Sequence, residues 1–271
     1  CQQTELVEWK KNPTIRGNRI WRGRKTKDFS ITIAMPGTKN VNISQHPLIA
    51  HKMTLLRSQS TMSGEFRRLL KEITFYLGFE ATTTLSTGPR PVTTPMNVEF
   101  DGKAVNQSVA IIPILRAGLG MGDALLELLP MASVHHIGMY RSKAALMPVQ
   151  YYNRLPRDQP CDVAFVTDPC IASANTISAV VSIVKQWGAK KVVVIAAVGS
   201  KAGVKALTAK HPDIEVFIGD VDDKLTDTGY IVPGLGDAGD RQFSTPVDVD
   251  PDVLPGVPGS PAGGKKRKNS Q

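Results

Sequence analysis

The chain has 271 residues, 41% of them hydrophobic, and a formal net charge of +9. That suffices for one full α/β domain with appendages, and no run approaches the roughly 18 consecutive apolar residues that a membrane span needs. The charge resembles a nucleic-acid signal only until it is located. Lys10, Lys11, Arg16, Arg19, Arg22, Arg24, Lys25 and Lys27 face only Glu5 and Glu8 in the first 27 residues, and Lys265, Lys266, Arg267 and Lys268 close the chain.

The basicity thus belongs mostly to the two ends and reads as solvated arms rather than a binding face, so no nucleic-acid partner is expected. Cys1, Cys161 and Cys170 are odd in number and lack metal-ligand spacing. They read as reduced thiols of a cytoplasmic protein rather than a disulfide framework. No signal-peptide pattern opens the chain, and a first residue of Cys rather than Met reads as processing or truncation.

Residues 1–40 show no sustained period and are expected to form a partly ordered basic arm. From Ser63 to about Thr82, Phe66, Leu69, Leu70, Ile73 and Leu77 recur at helical spacing. Gly88, Pro89, Pro91 and Pro95 then predict a loop. From Val109 the pattern alternates between strand and helix. Strands are expected at Ser108–Leu115, Val134–Tyr140, Val163–Asp168, Val192–Val198 and Glu215–Val221; helices at Leu119–Leu129, Thr176–Trp187 and Lys201–Lys210. Such alternation predicts a mainly parallel sheet flanked by helices. Met147–Leu155 interrupts it as an extended arm or hairpin. The domain is expected to span residues 41–246, and the Pro/Gly-rich tail, 247–271, to be disordered.

The central stretch is Val163 to Thr176. An apolar, β-branched run ends on Asp168; Pro169, Cys170, Ile171, Ala172, Ser173, Ala174 and Asn175 make a short loop, and Thr176 opens a helix. Strand, small-residue loop and helix start together can hold a phosphate with backbone N–H groups. An ordinary βα turn in which Thr176 caps the helix explains the same residues. At a second junction, Arg116 ends a strand and is followed by Gly118 and Gly120. Its guanidinium suits phosphate oxygens, and the glycines permit close backbone approach. Arg141 and Lys143 follow another strand. Tyr230 to Arg241 holds three glycines, a proline and two acids, and is expected to be a shaped loop exposing backbone donors and acceptors to a flat heterocycle.

Together these segments resemble the uracil phosphoribosyltransferases. The likeness is carried by His46 to Lys52, Glu80-Ala81-Thr82, Pro113 to Met121, His136 to Arg141, Asp168-Pro169 and, most specifically, Tyr230 to Arg241. It implies a type I phosphoribosyltransferase fold with an N-terminal helical arm and a smaller hood. The implied reaction is uracil plus 5-phosphoribosyl 1-diphosphate (PRPP) giving UMP and diphosphate, with Mg²⁺, in a homo-oligomer, dimer or tetramer; GTP stays open as an effector. Carried onto this chain, Arg116 and Arg141 would hold the diphosphate, and Asp168 to Thr176 the ribose and its 5′-phosphate. Ile231, Gly236, Asp237 and Ala238 would read uracil, and Asp237 would also face the metal. The family usually has Ala-Thr-Gly-Gly-Ser where this chain has Ala172-Ser173-Ala174-Asn175-Thr176, and tends to have Gly at Ser244. A left-handed residue in the loop would suit Asn175 better than Ala174. Two other readings stay open here: a related protein that binds without turnover, for which the altered loop argues, and an RNA-binding regulator on the same fold.

Overall fold

The computed structural model describes residues 32–34, 40–141 and 148–245, with backbone alone for 32–34 and Arg141. The expected tail, Lys143 and all of the expected arm except residues 32–34 and 40 lie outside the described residues. β1 (Thr32–Ala34) runs antiparallel to β2 (Val41–Ser44), so the sheet begins upstream of the boundary expected at residue 41.

α1 (Pro47–Arg57) buries Ile49, Met53 and Leu56, but the exposed Leu48 and Leu55 blur that period, and its start sets it. His46 caps it, its Nδ1 accepting the Leu48 N–H at 3.1 Å, and Pro47 takes a first-turn position where a missing N–H costs nothing. α2 (Ser63–Ala81) is the expected amphipathic helix, with Phe66, Leu70, Ile73 and Leu77 fully buried. The stretch after it is not a loop but an antiparallel ribbon, β3 (Thr87–Thr93) with β4 (Glu99–Val105). The Thr94 N–H donates to the Val98 carbonyl at 2.9 Å, which makes positions 88, 90 and 92 the hydrogen-bonded ones and turns the nitrogens of Pro89 and Pro91 outward. Proline is tolerated on such a free edge.

The alternating part follows as β5 (Val109–Leu115), α3 (Leu119–Leu128), β6 (Ser133–Val134) and β7 (Ile137–Arg141). The strand expected over Val134–Tyr140 is thus split at His135 and His136. β8 (Pro148–Asn153) returns antiparallel to β7 and is the expected hairpin arm. Then come β9 (Val163–Thr167), β10 (Cys170–Ile171), α4 (Asn175–Trp187), β11 (Lys191–Ser200), α5 (Lys201–Lys210) and β12 (Glu215–Asp222). The chain continues through β13 (Lys224–Leu225), β14 (Ile231–Val232) and α6 (Ala238–Phe243). Tyr230 to Arg241 is therefore not wholly loop. Its proline and two of its glycines are confined to the turn between β14 and α6, which leaves both ends free to take regular structure.

The main sheet has the order β1-β2-β12-β11-β9-β5-β7-β8; neighbours from β2 to β7 are parallel and both outer pairs antiparallel. Interior parallel strands are covered on both faces, so they need apolar residues at every position. β9 is buried at all five. Val163 and Phe165 face the core made with α1, α2 and α3, while Ala164 and Val166 face the core made with α4 and α5. The carboxyl ends of β5, β7 and β9 consequently share one edge, where open parallel sheets bind ligands.

Candidate active site

A cavity of about 680 Å³ opens at that edge. It takes in Arg116, Asp168, Cys170, Ile171, Ala172, Ser173, Ala174, Asn175 and Thr176 on one side, and Ile231, Gly236, Asp237 and Ala238 on the other. Segments that are remote in sequence thus meet as the likeness implies. One expected residue is placed differently, and the side chain of another is not among those described. Pro169 is buried behind the wall, its carbonyl accepting the N–H groups of Ala197 and Val198 at 3.1 and 3.0 Å. Arg141 ends β7 next to Tyr140, which lines the cavity, and its side chain lies outside the described residues.

The loop from Asp168 to Thr176 is anchored at its base and open at its tip. β10 pairs with β11, and Ser200 Oγ donates to the Ala172 carbonyl at 2.6 Å. α4 then begins with Ala174 as its N-cap and no side-chain cap, so Thr176 is a first-turn residue and not the cap. The first N–H groups of a helix have no partner within it; here those of Asn175, Thr176 and Ile177 stand at the cavity wall. A thirteen-residue helix with an uncapped N-terminus in a pocket has the donors and the dipole that favour an anion.

Ala174, not Asn175, carries the left-handed backbone, at φ 65°. Ser244, at φ 52°, is a second left-handed residue at a position where the family tends to have Gly. Asn175 is already helical, so glycine has opposite effects at the two neighbours. Ala174→Gly relieves strain and raises stability by about 0.5–1 kcal/mol after the entropy of the unfolded chain is counted. Asn175→Gly lowers it by a few tenths of a kcal/mol or more through helix propensity. Urea melts of the two single variants check this, and the reverse ranking would place the strain elsewhere.

Arg116 lies at the cavity rim with its side chain half exposed. Its Nη2 meets Asp240 Oδ1 at 2.9 Å and its Nη1 meets Thr245 Oγ1 at 3.3 Å. The glycines after it do not serve the ligand. A Cβ on Gly118 would stand 2.5 Å from the Thr167 carbonyl, and one on Gly120 2.2 Å from Gln242 Oε1. Both make room for protein rather than for phosphate. Gln242, wholly buried, uses that room: its Nε2 donates to the carbonyls of Ala117 (2.8 Å) and Ala238 (2.9 Å), joining the Arg116 turn to α6.

Asp237 caps α6, its Oδ1 accepting the Asp240 N–H at 2.8 Å. Arg241 locks the preceding turn, donating to the carbonyls of Leu235 (2.8 Å), Leu56 (2.7 Å) and Ser58 (2.5 Å) while lying over the Phe66 ring. Burial pulls its pKa down. Burial pushes the Cys170 thiol well up, and the carboxylates of Asp168 and Asp237 add to that, so Cys170 is a protonated wall residue and not a nucleophile. Asp240, Gln242, Tyr140 and Tyr151 were not evident from sequence. Asp240 meets Arg116 and Gln242 meets Ala117 far along the chain, Tyr140 and Tyr151 meet across the β7–β8 hairpin, and only the Asp237-x-x-Asp240 spacing carries a local hint, that of a cap.

No group of three or more His, Cys, Asp or Glu among the described residues could hold a metal by itself. Asp168 and Asp237 both line the cavity. Mg²⁺ that arrives on substrate phosphates needs only one or two carboxylates from the protein, and this pair fits that demand.

The mostly parallel sheet with flanking helices is the fold of a type I phosphoribosyltransferase. The chain belongs to the uracil phosphoribosyltransferase family, whose model matches residues 43–245. It is 45% identical over 207 residues to the uracil phosphoribosyltransferase of Roseiflexus castenholzii, covering 76% of this chain and 99% of that one. It is 44% identical over 206 residues to that of Thermosipho melanesiensis, with the same coverage. The solved AQ2163 protein of Aquifex aeolicus matches with a TM-score of 0.72 at 33% identity, over 76% of this chain and 99% of that structure. The alternative of a protein without turnover gains no support from these relatives.

Proposed function

We propose that the chain transfers the phosphoribosyl group of PRPP to uracil, releasing diphosphate and UMP. What supports this best is the convergence, in one cavity, of an uncapped helix N-terminus, the Arg116 guanidinium and a loop that offers backbone groups to a base. Its volume lies within the range of about 300–1,000 Å³ typical of small-molecule sites. The α4 N-terminus and Ser173 to Thr176 would take the 5′-phosphate, Asp168 the ribose, and Ile231 and Gly236 to Ala238 the uracil edge.

As the C1′–O bond to diphosphate breaks and the bond to the uracil nitrogen forms, the proton on that nitrogen leaves to water or to the departing diphosphate, while negative charge grows on the leaving group and positive charge on the ribose ring. Arg116, with Arg141, stabilises the former and Asp237 the latter. Both arginines stay charged throughout, so no proton need move to them. Mg²⁺ carried on the diphosphate would face Asp168 and Asp237, and when bound it neutralises leaving-group charge. No covalent nucleophile is required.

We also propose a homo-oligomer in the cytoplasm. The ribbon exposes Val92, Val98 and Phe100 on one face, which suits a second copy. Cys161 and Cys170 are both unpaired, which suits a reducing compartment. Among the described residues no helix is long and apolar enough to cross a membrane.

The test is nucleoside monophosphate formation from PRPP with uracil, cytosine, hypoxanthine or guanine as acceptor. Product is expected with uracil alone and is expected to vanish when Mg²⁺ is chelated. Preference for a purine would sink the uracil assignment.

A further inference from the structure

Behind the base-facing loop lies an ion pair that the reaction does not use. Arg57 is the last residue of α1 and Asp222 the last of β12; their side chains are 17% and 8% exposed. The two meet fork to fork, Nη1 to Asp222 Oδ2 at 2.7 Å and Nη2 to Oδ1 at 2.9 Å, and Nη2 also reaches Asp220 at 2.8 Å. This bidentate geometry fixes direction as well as distance.

The same pair grips one residue of the loop on both of its backbone groups. Arg57 Nη1 donates to the Gly234 carbonyl at 2.8 Å, and the Gly234 N–H donates to Asp222 Oδ2 at 2.9 Å. Gly234 holds a left-handed φ of 58°, and a Cβ there would stand 2.1 Å from the Ile231 carbonyl. The turn is therefore both tight and clamped. Gly234 is not on the cavity wall, whereas Ile231, Leu235 and Gly236 on either side of it are.

From this geometry we infer that Arg57 and Asp222 are positioning residues for base selection, holding Gly234 so that the loop presents its backbone donors and acceptors in fixed register. The inference rests on the reading of Ile231 to Ala238 as the base-reading loop. Stability is a weak rival explanation, because a buried ion pair is often no more stable than an apolar replacement. Backbone recognition, by contrast, fails when its groups drift by about 0.5 Å. The phosphate end of the cavity has anchors of its own on β11: the Ala197 and Val198 N–H groups hold the Pro169 carbonyl, and Ser200, the register partner of Asp222, holds that of Ala172. The pair should therefore act on the base and not on the diphosphate.

Arg57→Lys and Asp222→Asn test this, with Arg57→Met/Asp222→Asn as a charge-balanced variant in case a single change leaves an unfoldable buried charge. Calorimetry reads the affinity for uracil, cytosine, hypoxanthine and guanine, and separately for inorganic pyrophosphate with Mg²⁺; kinetics reads KM for uracil and for PRPP. Uracil Kd and KM are expected to rise about tenfold, the equivalent of one charge-assisted hydrogen bond. Pyrophosphate Kd is expected to stay within about twofold of the parent, and the preference for uracil over cytosine to shrink. Unchanged uracil affinity overturns the inference. So does a parallel loss of both ligands in step with the melting temperature, since that is what a merely structural pair would give. A parent protein that binds a purine instead overturns the uracil reading alone, and the pair is then judged on that base by the same split. A parent that binds none of the four bases overturns both.

Discussion

Replacing Arg116 by Ala is expected to lower kcat/KM for PRPP by about 10²–10³-fold while stability stays within about 0.5 kcal/mol of the parent. The contrast follows from where the side chain stands. Its ion pair with Asp240 lies at the rim, with the Arg116 side chain 52% exposed; Asp240 is 14% exposed, and the Thr245 hydroxyl still donates to its Oδ1 when the guanidinium is removed. Once diphosphate is bound, the same guanidinium faces charge that grows as the bond to ribose breaks, so its contribution is larger in the transition state than in the ground state. Arg116→Lys should restore only part of the activity, because an ammonium cannot present two parallel donors. Steady-state kinetics beside thermal melts separate the outcomes. Parental turnover in purified Arg116→Ala would remove Arg116 from the mechanism.

Much of the fold was legible because its signals are local. The both-face burial of β9 and β11 writes continuous β-branched runs, and α2 and α4 write helical periods that end where the sequence predicts. What stayed hidden depends on partners or on edges. α1, whose exposed Leu48 and Leu55 blur its period, is set by a His–Pro start, and β3 and β4 hide behind Pro89 and Pro91 because a free ribbon tolerates proline where a central strand cannot.

The site divides the same way. Its loops could be found, since glycine, proline and acid clusters mark them, and the left-handed strain in the phosphate loop could be expected though not assigned to the right neighbour. Roles set by distant packing could not be read. Gly120 exists for Gln242, 122 positions away, and Arg57 meets Asp222 across 165 positions. Nothing near either residue in sequence announces the other.

Asp237→Asn isolates charge from architecture at the opposite wall. Asp237 has a structural duty, accepting the Asp240 N–H at the start of α6, and asparagine caps a helix about as well as aspartate. The variant should therefore keep the parent's melting temperature within a degree or two, on the order of a few tenths of a kcal/mol. The cap is retained while the carboxylate is lost from beside the ribose and from the pair that would face Mg²⁺. Activity is expected to fall about a hundredfold, with a higher Mg²⁺ concentration needed for half-maximal rate. A second, independent readout is the Cys170 thiol. Burial and the nearby carboxylates hold its pKa up, so removing one negative charge lowers that pKa, while burial keeps it above the ordinary thiol value. Alkylation of Cys170 followed by mass spectrometry against pH should accordingly begin at lower pH in the variant than in the parent. If the thiol profile shifts but turnover does not, Asp237 lies in the cavity as a helix cap and its charge has no part in the chemistry.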